Sequence, residues 1–344
     1  MKILKIALSL LIVSLIIGGI WGYKTYQEIY DSNVDLGRTE YRILLIPTGS
    51  DFNDLIQILN KDNLLEDVEA FQKVAKLKSF SNVKSGRYKV LNRMSNNALI
   101  DMLRIGDQEP VNIVFHHVRT LPQLAGKISQ NIEIDSLSLV KALLSDEIHK
   151  KYGFNSANFI SMFIANTYRV FWDIRIEELI QRMANEYKTF WNKKRKAKAR
   201  EIGLSQSEVA TLASIVQLES LKKDEQAKIA GVYINRLKKG IPLQADPTVI
   251  YAVGDFSIKR VLTKHLQNNS PYNTYKHKGL PPGPIYLTSP EILDAVLNYK
   301  KHHYFYFCAK EDFSGYHRFA RTYREHINNA KRYQRALNRR KIYK

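Results

Sequence analysis

A chain of 344 residues with 44% hydrophobic side chains can bury a substantial core and has room for two globular parts besides its N-terminal segment. Its 53 Lys and Arg against 33 Asp and Glu leave a formal charge of +20, which suggests an anionic partner. The single cysteine, Cys308, excludes an internal disulfide, so stability must come from the core.

The chain opens with Met-Lys-Ile-Leu-Lys, and no charge follows from Ile6 until Lys24. Residues 6–23 are long enough to cross a bilayer as a helix, with Trp21 and Tyr23 where an interfacial aromatic belt falls. Lys2 and Lys5 put residues 1–5 in the cytoplasm by the positive-inside rule, so the rest of the chain lies outside. A cleaved signal peptide is the rival reading, but the apolar run is long for one and Gly-Gly-Ile-Trp-Gly-Tyr offers no small-x-small cleavage site. An exported basic surface meets anionic lipid headgroups and acidic wall polymers, so nucleic acid is not expected as a partner. The basic runs at 193–200 and 331–344 otherwise suit solvated helix faces and a frayed tail.

Residues 24–40 are polar and aperiodic, and they predict a stalk. A first module spans 41–118. Its pattern predicts a strand at Tyr41–Pro47, helices at Asp51–Leu59 and Val68–Leu77, a strand at Ser85–Leu91, a helix at Ser95–Leu103 and a strand at Val111–Val118. Residues 119–203 form a mostly helical connecting region whose longest amphipathic stretch starts at Ile176 and runs through Phe190. A second α+β module occupies 204–335, with a basic tail at 336–344. The fold class is α+β.

Within the second module, Ser205 and Glu208 form an S-x-x-E capping box, and Val209, Leu212 and Val216 follow at the spacing of a buried stripe. Glu219 is the next member of that stripe. A carboxyl buried there, near the negative end of its helix, raises its pKa and keeps its proton. Such an acid suits protonation of a glycosidic oxygen. A further helix carries Ala227, Ala230, Ile234 and Leu237, with Asp224 as its N-cap and Gly240 as its stop. Asp246-Pro247 starts another helix through Tyr251. The segment from Ser270 to Pro284 is a Pro, Gly and Tyr-rich loop of the kind that binds ligands.

No HExxH, CxxC, Walker loop or GxSxG occurs, so neither a metal nor a cofactor is expected. His116-His117 and His302-His303 point to opposite faces if they lie on strands, which suits no metal. The remaining chemistry clusters around Glu219. Asn235, Arg236, Gln244, Asp246, Thr248, Tyr272, Asn273, Thr274 and Tyr275 supply amides, hydroxyls and aromatic faces that can hold sugar rings. Each also has a structural explanation: Asp246 as a cap, Asn235 and Arg236 as loop ties, Tyr272 and Tyr275 as packing, and Glu219 itself as an acid paired with Arg236.

Ala213-Ser-Ile-Val-Gln-Leu-Glu219, Ile229-Ala-Gly-Val-Tyr-Ile-Asn-Arg-Leu237, Leu243-Gln-Ala-Asp-Pro-Thr-Val-Ile-Tyr251, Ser270-Pro-Tyr-Asn-Thr-Tyr275 and Gly279-Leu-Pro-Pro-Gly-Pro-Ile285 together resemble the endolytic murein transglycosylase family (MltG, YceG-like). Gly315-Tyr-His-Arg-Phe319, Thr322 and Glu325-His326 are similar to that family's C-terminal signature. Ala165-Asn166 stands where the family often has proline and aspartate, and His116-His117-Val118 replaces a Glu-Gly type of turn. The resemblance implies a membrane-anchored enzyme whose first module is LysM-like and whose catalytic acid is Glu219. Its expected substrate is the glycan strand of peptidoglycan, with peptidoglycan synthases as protein partners. Two rivals stand beside it: a hydrolase using Glu219 with Asp246, and a non-catalytic wall-binding scaffold.

Overall fold

The computed structural model describes residues 2–340. Its mixed α+β chain divides into two compact units. The first is built from the residues up to 112 with 131–133 and 169–174, and the second from most of the remainder.

The first unit begins with α1 (Lys2–Tyr30), the one helix among the described residues long and apolar enough to cross a membrane. Then come β1 (Tyr41–Ile46), α2 (Phe52–Lys61), α3 (Val68–Leu77), β2 (Gly86–Leu91) and α4 (Asn96–Ile105), and β3 (Val111–Val114), whose last two residues belong to the second unit, completes the expected β-α-α-β-α-β order. Strands β1 and β2 pair antiparallel, from Tyr41 opposite Leu91 to Ile46 opposite Gly86. Alternation along them sends Leu44, Ile46, Tyr88 and Val90 into a core with Leu55, Leu59, Phe71, Val74, Leu99 and Leu103. Side-chain oxygens of Asp51, Asp67 and Ser95 cap α2, α3 and α4.

The expected stalk is different. Helix α1 continues to Tyr30, and Val34 and Leu36 are buried in the core of the first unit. Asn33 holds the turn by donating to the Asp67 carbonyl and the Asn96 side chain, both at 2.7 Å, while Asn96 donates to the Glu28 carbonyl at 2.8 Å. A polar, aperiodic sequence hid this because the segment buries only two apolar side chains and fixes its backbone through amides. The strand expected through Val118 stops at Val114, because His117 adopts a left-handed φ of 56°. The two adjacent histidines therefore do not alternate across a strand.

The chain continues with α5 (Leu121–Ile128), α6 (Ser136–Leu143), α7 (Asp146–Lys151), a 3₁₀ turn (Phe159–Met162), β4 (Thr167–Val170), α8 (Ile176–Phe190) and α9 (Lys193–Ile202), all in the second unit except the last two residues of β4. Next come α10 (Gln206–Glu219), α11 (Lys223–Lys238), α12 (Asp246–Val253), α13 (Thr263–Leu266) and α14 (Pro290–Leu297). The β5 (Tyr306–Ala309) and β6 (His317–Ala320) hairpin and α15 (Tyr323–Arg339) close the unit. Helix α10 is central and packs against α9, α11, α12 and α14. Its Val209, Leu212, Ile215 and Val216 are fully buried with Ile229, Ala230 and Val296. Arg195 ties α9 to α14 through a two-pronged pair with Asp294 at 2.8 and 2.7 Å.

Two local expectations shift. Asp224 lies inside the first turn of α11, whose N-cap is Lys222. The tail expected from 336 is helical to Arg339 and buries Ala336, because Thr322 and Glu325 form a capping box that starts a strongly amphipathic helix. Residues 341–344 lie outside the described residues, as does Met1.

Candidate active site

Glu219 closes the last turn of α10. The helix begins with the predicted box: Ser205 accepts from the Glu208 amide at 3.2 Å, and Glu208 accepts from the Ser205 amide at 2.7 Å. From that fixed start the buried stripe delivers the glutamate carboxyl to the floor of a cleft of about 490 Å³. The residue keeps part of its surface open to the cleft, while its carboxyl group is packed among protein atoms. Burial pushes this carboxyl from its ordinary 4.5 up to about 7. A hydrogen bond from Tyr233 and the charge of Arg236 pull the other way, while Asp246 adds to the rise.

Helix α11 brings Tyr233 and Arg236 to the same wall, one turn apart. The Tyr233 hydroxyl donates to Glu219 Oε1 at 2.8 Å, and its ring stands edge-on to Phe307 at 5.8 Å. Close approach of the chain behind this helix depends on Gly231, since a Cβ there would lie 2.4 Å from the Lys300 carbonyl oxygen. Arg236 spends its donors on loops. Nε reaches the Phe305 carbonyl at 2.6 Å, and Nη1 reaches the carbonyls of Leu243 at 2.8 Å and Pro242 at 3.1 Å. It lines the cleft without forming an ion pair with Glu219.

The loop from Ile241 to Ala245 presents Gln244 to the cleft in a left-handed conformation, φ 51°. Strain of this kind in a non-glycine residue persists where the surroundings hold it, and here the Gln244 amide donates to the Thr274 carbonyl at 3.1 Å. Asp246 begins α12 and accepts from the Tyr275 hydroxyl at 2.6 Å. A glycine is needed at 283 too, because a Cβ there would sit 1.8 Å from the Ala157 carbonyl oxygen. Beside it, the Ile285 amide donates to Ser214 Oγ on α10 at 3.0 Å, joining the proline-rich loop to the helix that ends in Glu219.

Of the candidates named from sequence, Glu219, Arg236, Gln244, Asp246 and Tyr275 line one cleft. The others stand behind its walls. Asn235 donates to the carbonyls of His302 at 2.8 Å and Tyr304 at 3.0 Å. Thr248 and Thr274 are buried and share a 2.8 Å hydroxyl contact, while buried Asn273 ties down the carbonyls of Leu266 and Asn268. Tyr272 packs against Tyr251 with ring centres 4.8 Å apart and planes tilted by 47°.

Sequence reasoning missed Tyr233 on α11 and the whole opposite wall: Phe307, Cys308 and Ala309 on β5, His317 on β6, and Tyr323 and His326 at the start of α15. His317 Nδ1 lies 2.9 Å from Glu225 Oε2, and Glu225 is itself buried. His326 stacks on Tyr306 at 5.3 Å, and burial lowers its pKa, so its imidazole is neutral near pH 7. Burial pushes the Cys308 thiol up, so it lines the cleft as an unreactive protonated group. The available signal was the His317 and His326 spacing within the closing signature run, which carried no role by itself.

These features define a mixed α+β protein with an apolar N-terminal helix and an open cleft lined by one glutamate whose carboxyl is desolvated and raised to about 7. The chain belongs to the YceG-like family, whose model matches residues 44–332. It is 31% identical over 310 residues to the endolytic murein transglycosylase of Bacillus subtilis, covering 85% of each chain. It is 26% identical to the endolytic murein transglycosylase of Streptococcus pneumoniae strain D39, covering 84% of this chain but only 58% of that longer protein. A crystal structure of a yceG-like protein from Listeria monocytogenes superposes with a TM-score of 0.56 at 27% identity, over 84% of this chain and 98% of the other.

Proposed function

We propose that this chain is an endolytic murein transglycosylase, a lyase that cleaves peptidoglycan glycan strands from the membrane to which α1 anchors it. The observation that carries this reading is the Glu219 carboxyl, raised to about 7 on the floor of a cleft large enough for sugar rings. An acid with that pKa is protonated often enough near neutrality to donate, and basic enough afterwards to accept.

In this mechanism protonated Glu219 gives its proton to the oxygen bridging N-acetylmuramic acid and N-acetylglucosamine, and the glycosidic bond breaks. The resulting carboxylate removes the proton from the muramyl C6 hydroxyl, which attacks its own anomeric carbon. The product is a 1,6-anhydromuramyl end, with no water consumed and Glu219 protonated again. An internal nucleophile supplies the proximity that a second carboxylate would otherwise give. Tyr233 orients the Glu219 carboxyl from the protein side. Gln244, Asp246 and Tyr275 offer polar contacts to the sugars, with Phe307 and Tyr323 as apolar faces.

Lys2 and Lys5 orient α1 with its N-terminus in the cytoplasm, leaving both units outside, where peptidoglycan and its synthases are. The first unit is LysM-like in this reading. Digestion of purified sacculi with the full chain and with Glu219→Gln tests the proposal. Expected products carry anhydro ends, and Glu219→Gln makes none. Reducing ends would instead establish a hydrolase pairing Glu219 with Asp246, and unchanged cleavage by Glu219→Gln would remove Glu219 from the chemistry.

A further inference from the structure

Helices α1 and α3 of the first unit enclose a groove of about 610 Å³ lined by Trp21, Lys24, Thr25, Glu28, Lys73, Lys76 and Leu77. On α1 the lining residues recur at i, i+3, i+4 and i+7, a single face of the helix. On α3 they recur at i, i+3 and i+4, so the groove lies between two facing stripes. Trp21 stands at the end of the uncharged stretch 6–23, at the depth where an interfacial aromatic belt falls. Leu77, 62% exposed, adds apolar surface at the end of α3. Lys73 lies 3.3 Å from Glu28, whereas Lys24 and Lys76 form no ion pair among the described residues. Two ammonium groups without an ion pair therefore line one groove with an indole and a leucine, where the chain leaves the apolar span.

We propose that this groove binds the headgroup of an acidic phospholipid in the leaflet beneath the two globular units. The phosphate sits between Lys24 and Lys76, and the glycerol and upper acyl carbons lie along Trp21 and Leu77. This inference rests on α1 being a membrane anchor. Charge complementarity favours an acidic over a zwitterionic lipid, since a quaternary ammonium headgroup would add like charge to both lysines. The buried amides of Asn33 and Asn96 fix α1 to the unit, so an occupied groove sets the height and tilt at which the unit leaves the membrane.

The test reconstitutes the full chain in nanodiscs of equal phosphatidylglycerol and phosphatidylcholine and weighs the lipids retained by native mass spectrometry. Wild type is expected to retain phosphatidylglycerol preferentially. Lys24→Ala/Lys76→Ala loses that preference by about fivefold per lysine. A charge-matched control on α9, Lys193→Ala/Lys194→Ala, keeps it. Equal retention of both lipids by wild type, or the same loss in both variants, overturns the site in favour of diffuse surface charge. Carbonate extraction from pure phosphatidylcholine vesicles separates the two readings. A chain that is extracted was never anchored, and the groove proposal falls with that reading; a chain that stays but shows no lipid preference refutes the groove alone.

Discussion

Removing the Tyr233 hydroxyl should move the pH dependence of catalysis in a direction fixed by the geometry. The hydroxyl donates to Glu219 Oε1 at 2.8 Å and lowers a pKa that burial otherwise raises. Hydrogen bonds to charged groups contribute about 1.5–3 kcal/mol, and about 1.4 kcal/mol corresponds to one pKa unit. Tyr233→Phe keeps the ring against Phe307 and leaves the desolvation intact, so the Glu219 pKa should rise from about 7 by roughly one to two units. The proton must be present for the first step, so activity falls as pH passes above this pKa. The alkaline limb of kcat/KM, followed by release of anhydro-ended fragments from purified glycan strands, should therefore shift upward in the variant. A limb that stays in place or moves down would refute both the assignment of Glu219 as the acid and the sign of the Tyr233 contribution. A melting curve matched to wild type shows that the variant has kept its fold.

Glu219 also links stability to pH. In the unfolded chain its carboxyl ionises near 4.5, while the folded protein holds the proton up to about 7. Between those values the native state binds more protons than the unfolded state, so wild-type stability falls with rising pH by up to about 3 kcal/mol and then levels off. Glu219→Gln cannot ionise; its melting temperature should match wild type near pH 4, exceed it increasingly toward pH 7 and keep a constant lead above. Equal melting temperatures at pH 8 would mean that the carboxyl is not desolvated. Gly231→Ala places a methyl group 2.4 Å from the Lys300 carbonyl oxygen and should destabilise the second unit by about 1–3 kcal/mol, seen as an earlier urea midpoint. An unchanged midpoint would show that the 300–302 segment gives way freely.

Glu219 was legible because it breaks a rule in a readable place. A capping box fixed where α10 starts, three apolar residues fixed its buried face, and the next position on that face held a carboxyl. The first unit was legible for a similar reason, with capped ten-residue helices and alternating strands whose local preferences agree with their packing. The failures share a different cause. Val34 and Leu36 enter the core from a polar segment because the Asn33 side chain bonds the Asp67 backbone and Asn96, which itself holds the Glu28 carbonyl, and no period announces a bond between residues 63 apart. Asn235, Thr248, Asn273 and Thr274 belong to the signature blocks that point to the cleft, yet their polar atoms hold backbone and neighbouring hydroxyls.

That division of labour explains why the blocks are rich in amides and hydroxyls without each one facing a sugar. Arg236 holds the Pro242 and Leu243 carbonyls, Thr274 holds Gln244 and Ala245, and the consequence is a strained glutamine and Asp246 fixed beside the glutamate. The far wall comes from a hairpin and helix about a hundred residues downstream. It is clamped to α11 by Asn235 on the carbonyls of His302 and Tyr304, and by Glu225 on His317. A cleft whose two sides are joined through several part-buried hydrogen bonds changes shape only by breaking several at once, at about 1 kcal/mol each. The proposed mechanism, in which one acid donates and then recovers a proton, needs that rigidity, because the leaving oxygen and the C6 hydroxyl must both come within reach of the same carboxyl.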